Sequence, residues 1–236
     1  MAAPMEAAER PGIGLYAETG LHASLKARYA ARGGRVEASV EGRVVDVALP
    51  DELVEIQTRN LGSIVGKVLS LACVMPVRVV LPIRVQTTID RLDPATGTVS
   101  SSRRSGARRD LYSAFDELLY APLLVGSPNV RFDLVLVRVR ETRLNDGGGS
   151  WRRRGDRILA RELDEVLSTV SLDTREDWLG LIPADLPEPW DSAALGAALG
   201  IAPWRARRVL YTLCRARLLR EDEKNGRRKS YRREDR

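Results

Sequence analysis

Residues 42–67, GRVVDVALPDELVEIQTRNLGSIVGK, set two carboxylates inside what must be a strand pair. Segments 44–49 (VVDVAL) and 53–58 (LVEIQT) each have the β-branched content of a short strand, and Pro50-Asp51-Glu52 between them is turn chemistry. Strand side chains alternate between faces, so Val45, Val47, Val54 and Ile56 are expected on one buried face, with Asp46, Glu55 and Gln57 on the other. A tight hairpin then puts Asp46 opposite Glu55, with Cβ atoms about 5 Å apart. Two like charges that close repel unless a cation lies between them, and the arrangement asks for a hard metal ion. Asp51 and Glu52 fall in the turn and are left outside the site.

Composition narrows the class. The chain has 236 residues, 44% hydrophobic and 30% charged, which suits a folded α/β protein with one full core and a smaller appended unit. Cys73 and Cys214 lie far apart in apolar runs and read as buried free thiols in a reducing compartment. His22 is the single histidine, so no zinc spacing exists. Without a basic stretch ahead of an apolar one there is no signal peptide, and the most apolar segment, 63–83, is interrupted by Lys67, Pro76 and Arg78. A cytoplasmic protein without a membrane partner is expected. No Gly-rich phosphate loop is present, which argues against a nucleotide cofactor.

The rest of the chain falls into an ordered series. Residues 1–12 lack periodicity and read as a disordered leader, and 13–31 as an amphipathic helix with Leu15, Leu21, Leu25 and Tyr29 inward. A strand at 35–40 precedes the acidic hairpin. Asn60 is expected to cap a helix over 61–73, and a strand follows at 77–85. Residues 90–109 read as a polar mobile loop, either open or built on a hairpin, Asp110 as the cap of a third helix to 119, and 130–139 as an alternating strand. The spacing of Leu159, Leu163, Val166, Leu167 and Val170 predicts helix over 156–172, within a bridging helix assigned to 156–180 between two domains, 13–155 and 181–236.

Charge separates those domains. From Pro203 to the C-terminus stand thirteen Lys/Arg and five Asp/Glu, a local balance of +8, leaving −2 for everything before it. That asymmetry points to a nucleic-acid contact. A short helix opening at Asp191 or Ser192, a break at Gly200, and a longer helix from Pro203 to about Leu218 give the helix-turn-helix order. Residues 220–231 read as a basic hairpin turning at Asn225-Gly226, in the manner of a wing. Arg205, Arg207, Arg208, Arg227, Arg228 and Lys229 are the expected DNA contacts.

Asp46, eight intervening residues, then Glu55-Ile56-Gln57 resembles the active-site pattern of the PD-(D/E)XK nuclease superfamily, and the element order fits its αβββαβ core. The chain also resembles prokaryotic proteins that join such a core to a C-terminal winged helix. The resemblance implies a restriction-endonuclease-like core with a winged helix-turn-helix domain and Mg²⁺- or Mn²⁺-dependent hydrolysis of DNA. In it Asp46, Glu55 and the main-chain carbonyl of Ile56 hold the metal, and Glu18 on the first helix adds a ligand or holds a metal-bound water. Gln57 departs from the usual lysine: it can hydrogen-bond a water but carries no charge. Certain restriction enzymes with this fold carry Gln there. Lys67 on the next helix is a candidate migrated lysine, and His22, four residues after Glu18, shares its helical face. Two other classes stay open. One is a DNA-binding transcriptional regulator in which the nuclease fold is a catalytically inactive scaffold or homodimer surface. The other is a protein-interaction module whose basic tail meets an acidic partner.

Overall fold

A computed structural model describes residues 16–106, 109–151, 155–222 and 229–234, with side chains from residue 20 onward. Helix α1 (Tyr16–Ala30) forms because Leu21, Leu25 and Tyr29 recur every fourth residue, and all three are buried. Strands β1 (Arg35–Val40), β2 (Arg43–Ala48) and β3 (Leu53–Ile56) then run as an antiparallel meander. A 3₁₀ turn (Leu61–Ile64) and α2 (Val65–Ala72) carry the chain across to β4 (Val77–Leu92), which pairs parallel with β3. After β5 (Val99–Arg104) and α3 (Phe115–Leu118), β6 (Val130–Asn145) pairs parallel with β4. β7 (Asp156–Leu172) returns antiparallel along β6. The result is one seven-stranded mixed sheet in the order β1-β2-β3-β4-β6-β7, with β5 beside β4.

Two cores sit on the sheet. One, under α1, gathers Val47, Val54, Ile56, Val80, Val135 and Val137. The other joins α2, α3 and the opposite sheet face to the C-terminal residues, so Leu71, Phe115, Phe132, Trp178, Val209 and Leu213 belong to one apolar cluster. Trp178, in α4 (Arg175–Leu179), meets Phe132 edge-on at 5.3 Å. The C-terminal unit is α5 (Ser192–Leu199), α6 (Pro203–Arg215) and a two-stranded hairpin, β8 (Leu219–Glu221) with β9 (Tyr231–Arg233). Asp191 caps α5 through the N–H groups of Ala193 and Ala194, and Gly200 ends it at φ 65°, a conformation that favours glycine. The Asn225-Gly226 turn lies outside the described residues.

Several expectations are corrected. The bridging helix over 156–172 is strand β7. Its register against β6 shifts three times, each time leaving one extra β7 residue, so Leu163 and Val166 pair with Val139 and Val137 on the same side. Bulges thus stretch a period of two to spacings of three, as from Leu163 to Val166, which mimic a helix. In the 90–109 segment the hairpin form is the one found: β4 continues to Leu92 and turns into β5. Asn60 is no side-chain cap: it is left-handed (φ 57°), and Glu117 Oε2 takes the Leu61 N–H at 3.1 Å. Asp110, by contrast, forms the expected cap, as a capping box with Ser113. Val45 packs in the α2–α3 core and not with Val47, since Glu37 in the neighbouring strand sits at φ 49° and the β1–β2 register passes over the Glu37–Asp46 pair. Cys73 is exposed at the C-terminal end of α2, whereas burial pushes the Cys214 thiol up to about 11. Leu15 lies outside the described residues.

Glu52, placed in the turn by the sequence, is 1% exposed. Arg78 Nε reaches its carboxylate at 3.0 and 3.1 Å, while Arg78 Nη1 reaches Asp133 at 2.8 Å and Asp173 at 3.0 Å. Arg32 and Arg131 also contact Glu52, and the Tyr29 hydroxyl donates to Asp133. This network ties the β2–β3 turn, β4, β6 and the end of β7 together. Arg78→Ala strands two buried carboxylates and is expected to lower unfolding stability by roughly 3–5 kcal/mol in urea titrations. A loss below about 1 kcal/mol, the ordinary worth of a surface pair, would show the network to be dispensable.

Candidate acidic site at the splayed β2–β3 edge

The β2–β3 ladder registers Val47 against Val54 and Ala48 against Leu53, and one further step sets Asp46 across from Glu55. There the ladder stops. The Ile56 N–H, which the next rung would use, donates to Asp46 Oδ2 at 2.8 Å. On the other side, β3 registers with β4 only as far as Val80; two residues on, Pro82 has no N–H to continue the ladder. Both neighbours of β3 therefore part from it near its C-terminal end. β4 gains its next partner, β5, only at Thr88. In the interval lies a cavity of about 210 Å³ lined by Leu21, Thr58, Arg59, Pro82, Arg84 and Arg161. It sits at the carboxyl end of the parallel pair β3–β4, where α/β sheets characteristically place ligands.

Each carboxylate has cations of the chain itself. His22 Nε2 stands 3.2 Å from Asp46 Oδ2, and Lys26 Nζ stands 3.6 Å from Oδ1. Burial alone would raise the Asp46 carboxyl, but bonds from His22 and the Ile56 N–H, with the charges of His22 and Lys26, hold it below the usual range. An ionised Asp46 only accepts, so the His22 ring nitrogen facing it is the donor. Glu55 behaves oppositely. It is 4% exposed, and burial pushes its carboxyl above the usual range although Lys67 opposes the shift; the neighbouring Asp46 charge adds to it. Lys67 Nζ comes within 2.5 Å of Glu55 Oε1, a close ion pair that opposes the effect of burial.

The predicted site residues therefore divide. Asp46, Glu55, His22 and Lys67 come together, Lys67 arriving from α2. Gln57 stays apart: its amide donates to the main-chain carbonyls of Arg59 and Asn60. The Ile56 side chain is buried under α1. Glu18 falls in the first turn of α1, but its side chain lies outside the described residues. Lys26 was missed, although it follows His22 by four residues and so shares its helical face. Among the described residues, no three His, Cys, Asp or Glu side chains are grouped to hold a metal. The acidic donors present are two carboxylates, and a hard cation that keeps most of its waters needs few protein ligands. Both carboxylates are already met by cations of the chain, which a metal ion would have to displace or share.

The expected DNA contacts divide as well. Arg205 Nη1 lies 3.3 Å from Asp110, and Arg208 pairs with Asp116, so both dock α6 on the α3 region. Arg207 is exposed with no partner among the described residues. Lys229 pairs with Glu221 at 2.8 Å, and Arg227 and Arg228 lie outside the described residues.

Fold and site define a mixed α/β protein with paired carboxylates at the splayed end of its sheet. Among the described residues no helix is long and apolar enough to cross a membrane. The chain belongs to the family described as domain of unknown function DUF8091, which matches residues 19–173. That match runs from α1 to just past β7 and contains Asp46, Glu55 and Lys67. An uncharacterized protein of Treponema pallidum (strain Nichols) is 28% identical over 221 residues, covering 92% of this chain and 86% of that one. No solved structure matches the chain.

The two carboxyls affect stability with opposite signs. Asp46, with a lowered pKa, stabilises the fold above the ordinary aspartate range, and this is lost as pH falls through its lowered value. Glu55, with a raised pKa, contributes the reverse: stability falls as pH rises from the ordinary glutamate range through its raised value. At pH 7, Asp46→Ala should lower the urea midpoint, by about 1–3 kcal/mol for the orphaned donors. Glu55→Gln should leave it at or above wild type. If Glu55→Gln cost as much as Asp46→Ala, Glu55 would be a structural ion-pair member.

Proposed function

We propose that this protein is a metal-dependent phosphodiesterase acting on DNA, built on a restriction-endonuclease-like αβββαβ core with a C-terminal winged helix. The observation that carries this reading is the close approach of Lys67 to Glu55, with Asp46 on the neighbouring strand. A cation supplied from α2 takes the place that Gln57 leaves empty. The order of α1, the β1–β3 meander, α2 and a parallel β4 supports it further.

In this reading Asp46, Glu55 and the Ile56 carbonyl would hold Mg²⁺ or Mn²⁺, which when bound would neutralise charge on phosphoryl oxygens and make a bound water more acidic. Asp46 is kept ionised by His22 and the Ile56 N–H and so is ready to bind a cation at neutral pH. Lys67 holds Glu55 in place and offers its ammonium to developing negative charge. Arg59, Arg84 and Arg161, the last already paired with Glu141, line the cavity past the end of β3, where a phosphate of the same strand would lie. Glu18, at the start of α1, is the further acid in this scheme.

A second reading, a DNA-binding regulator without catalysis, draws on a different observation. The Gln57 amide is spent on main-chain carbonyls, and Asp46 is already satisfied by His22, Lys26 and the Ile56 N–H. Cleavage assays separate the two. Supercoiled, linear, single-stranded and branched DNA should be cut with Mg²⁺ or Mn²⁺. Glu55→Ala should abolish cutting, and Lys67→Ala should lower kcat by roughly 10²–10³ with DNA affinity retained. Binding without cutting on every substrate would establish the regulator, and full activity in Lys67→Ala would remove the lysine from the mechanism.

A further inference from the structure

Helix α6 has two faces. Ala206, Val209, Leu210 and Leu213 are buried, all in the core shared with α2 and α3. The opposite face carries Trp204, Arg207, Tyr211 and Arg215, spaced by three, four and four residues, which is a single outward line on a helix. All four are exposed, Trp204 at 44% and Tyr211 at 51%. Neither aromatic belongs to a core cluster. Large exposed rings alternating with cations are not what folding requires of this helix.

Charge decides the partner. The acids beside α6, Asp110 and Asp116, are already paired with Arg205 and Arg208. Arg207 and Arg215 have no acidic partner among the described residues. The stripe is thus both aromatic and net basic, and the whole segment from Pro203 onward carries an excess of +8. The Trp204 ring is held as well: the guanidinium carbons of Arg205 and Arg208 lie 4.8 and 4.9 Å from its centroid. Cation–π contacts of that kind orient the indole before any ligand arrives.

We infer that this face of α6 binds single-stranded nucleic acid, with unpaired bases stacked on Trp204 and Tyr211 and phosphates held by Arg207 and Arg215. Bases in a duplex have their π-faces covered by their neighbours, whereas unpaired bases present them, and stacking on aromatic side chains beside cations is how sequence-tolerant single-strand binding works. The two rings are seven residues apart, about 10 Å along the helix axis, with Arg207 between them and Arg215 one turn beyond. The inference rests on the proposed DNA binding by the C-terminal unit and names its substrate as unpaired or frayed strands; it does not depend on cleavage.

The test is fluorescence anisotropy of the full chain with labelled oligo(dT) and with a duplex of equal length, without divalent metal. Wild type should prefer the single strand. Trp204→Ala and Tyr211→Ala should each weaken that binding roughly 5- to 150-fold, with duplex binding much less changed. Tyr211→Phe should restore it, and Arg207→Ala with Arg215→Ala should flatten its salt dependence. Unchanged urea midpoints would confirm that the variants fold. Duplex binding that survives both aromatic substitutions, with no single-strand preference in wild type, would overturn this inference while leaving DNA binding intact. No binding to either probe would overturn both. A dimer in wild type that Trp204→Ala dissociates would assign the face to self-association instead.

Discussion

Arg78 is the interaction on which the sheet depends. A guanidinium is the one side chain able to direct several donors at several carboxylates from one plane, and here it reaches Glu52, Asp133 and Asp173. Those acids belong to the turn before β3, to β6 and to the end of β7. Parallel strands cannot be registered by a hairpin turn, so β3, β4 and β6 need some other device to fix their alignment. The buried charges supply it at the amino ends of the three strands. β4 and β6 stay paired to their carboxyl ends, and only β3 parts from its neighbours there, beside Asp46 and Glu55.

The splay is itself encoded. An aspartate that takes the next main-chain N–H of the ladder ends pairing on one side of β3, and a proline two residues past its last β4 partner ends it on the other. The carboxylates are then tied to different layers, Asp46 to α1 through His22 and Lys26, and Glu55 to α2 through Lys67. Separate countercharges offset part of the repulsion between the two acids. They do not do so equally. Asp46 is held acidic by its partners, while burial holds the Glu55 carboxyl above the usual range although Lys67 pairs with it.

Much of this was legible in the chain. The Asp46–Glu55 juxtaposition followed from strand alternation and turn chemistry, and Leu21, Leu25 and Tyr29 announced the buried face of α1. The α5–α6 pair was readable from Asp191 and Gly200, since caps and left-handed glycines are local signals. What could not be read were features set by partners distant in sequence. β7 looked helical because its bulges are imposed by β6. Arg59, Arg84 and Arg161 line one cavity only because three separate segments meet there. Glu52 looked like a turn residue because nothing local shows that Arg78, Arg131 and Arg32 converge on it. Lys26 was within reach of the same i to i+4 argument that linked Glu18 to His22, and should have been found.

The C-terminal unit is fused to the core by the same physics, which changes how its basic charge can be used. A tethered domain would meet nucleic acid at an effective concentration set by its linker. Here Val209 and Leu213 share an apolar cluster with Leu71 and Phe115, and Arg205 and Arg208 are committed to Asp110 and Asp116. Two of the cations that a free helix-turn-helix would aim at phosphates therefore hold the helix in place. Fewer phosphate contacts mean a smaller counterion release and a shallower dependence on salt than the net charge suggests. What α6 presents outward instead is Trp204 and Tyr211 with Arg207 and Arg215. If the proposed single-strand binding holds, such a face would draw more on aromatic surface than on charge, and α6 would present it from a helix packed in one apolar cluster with α2 and α3.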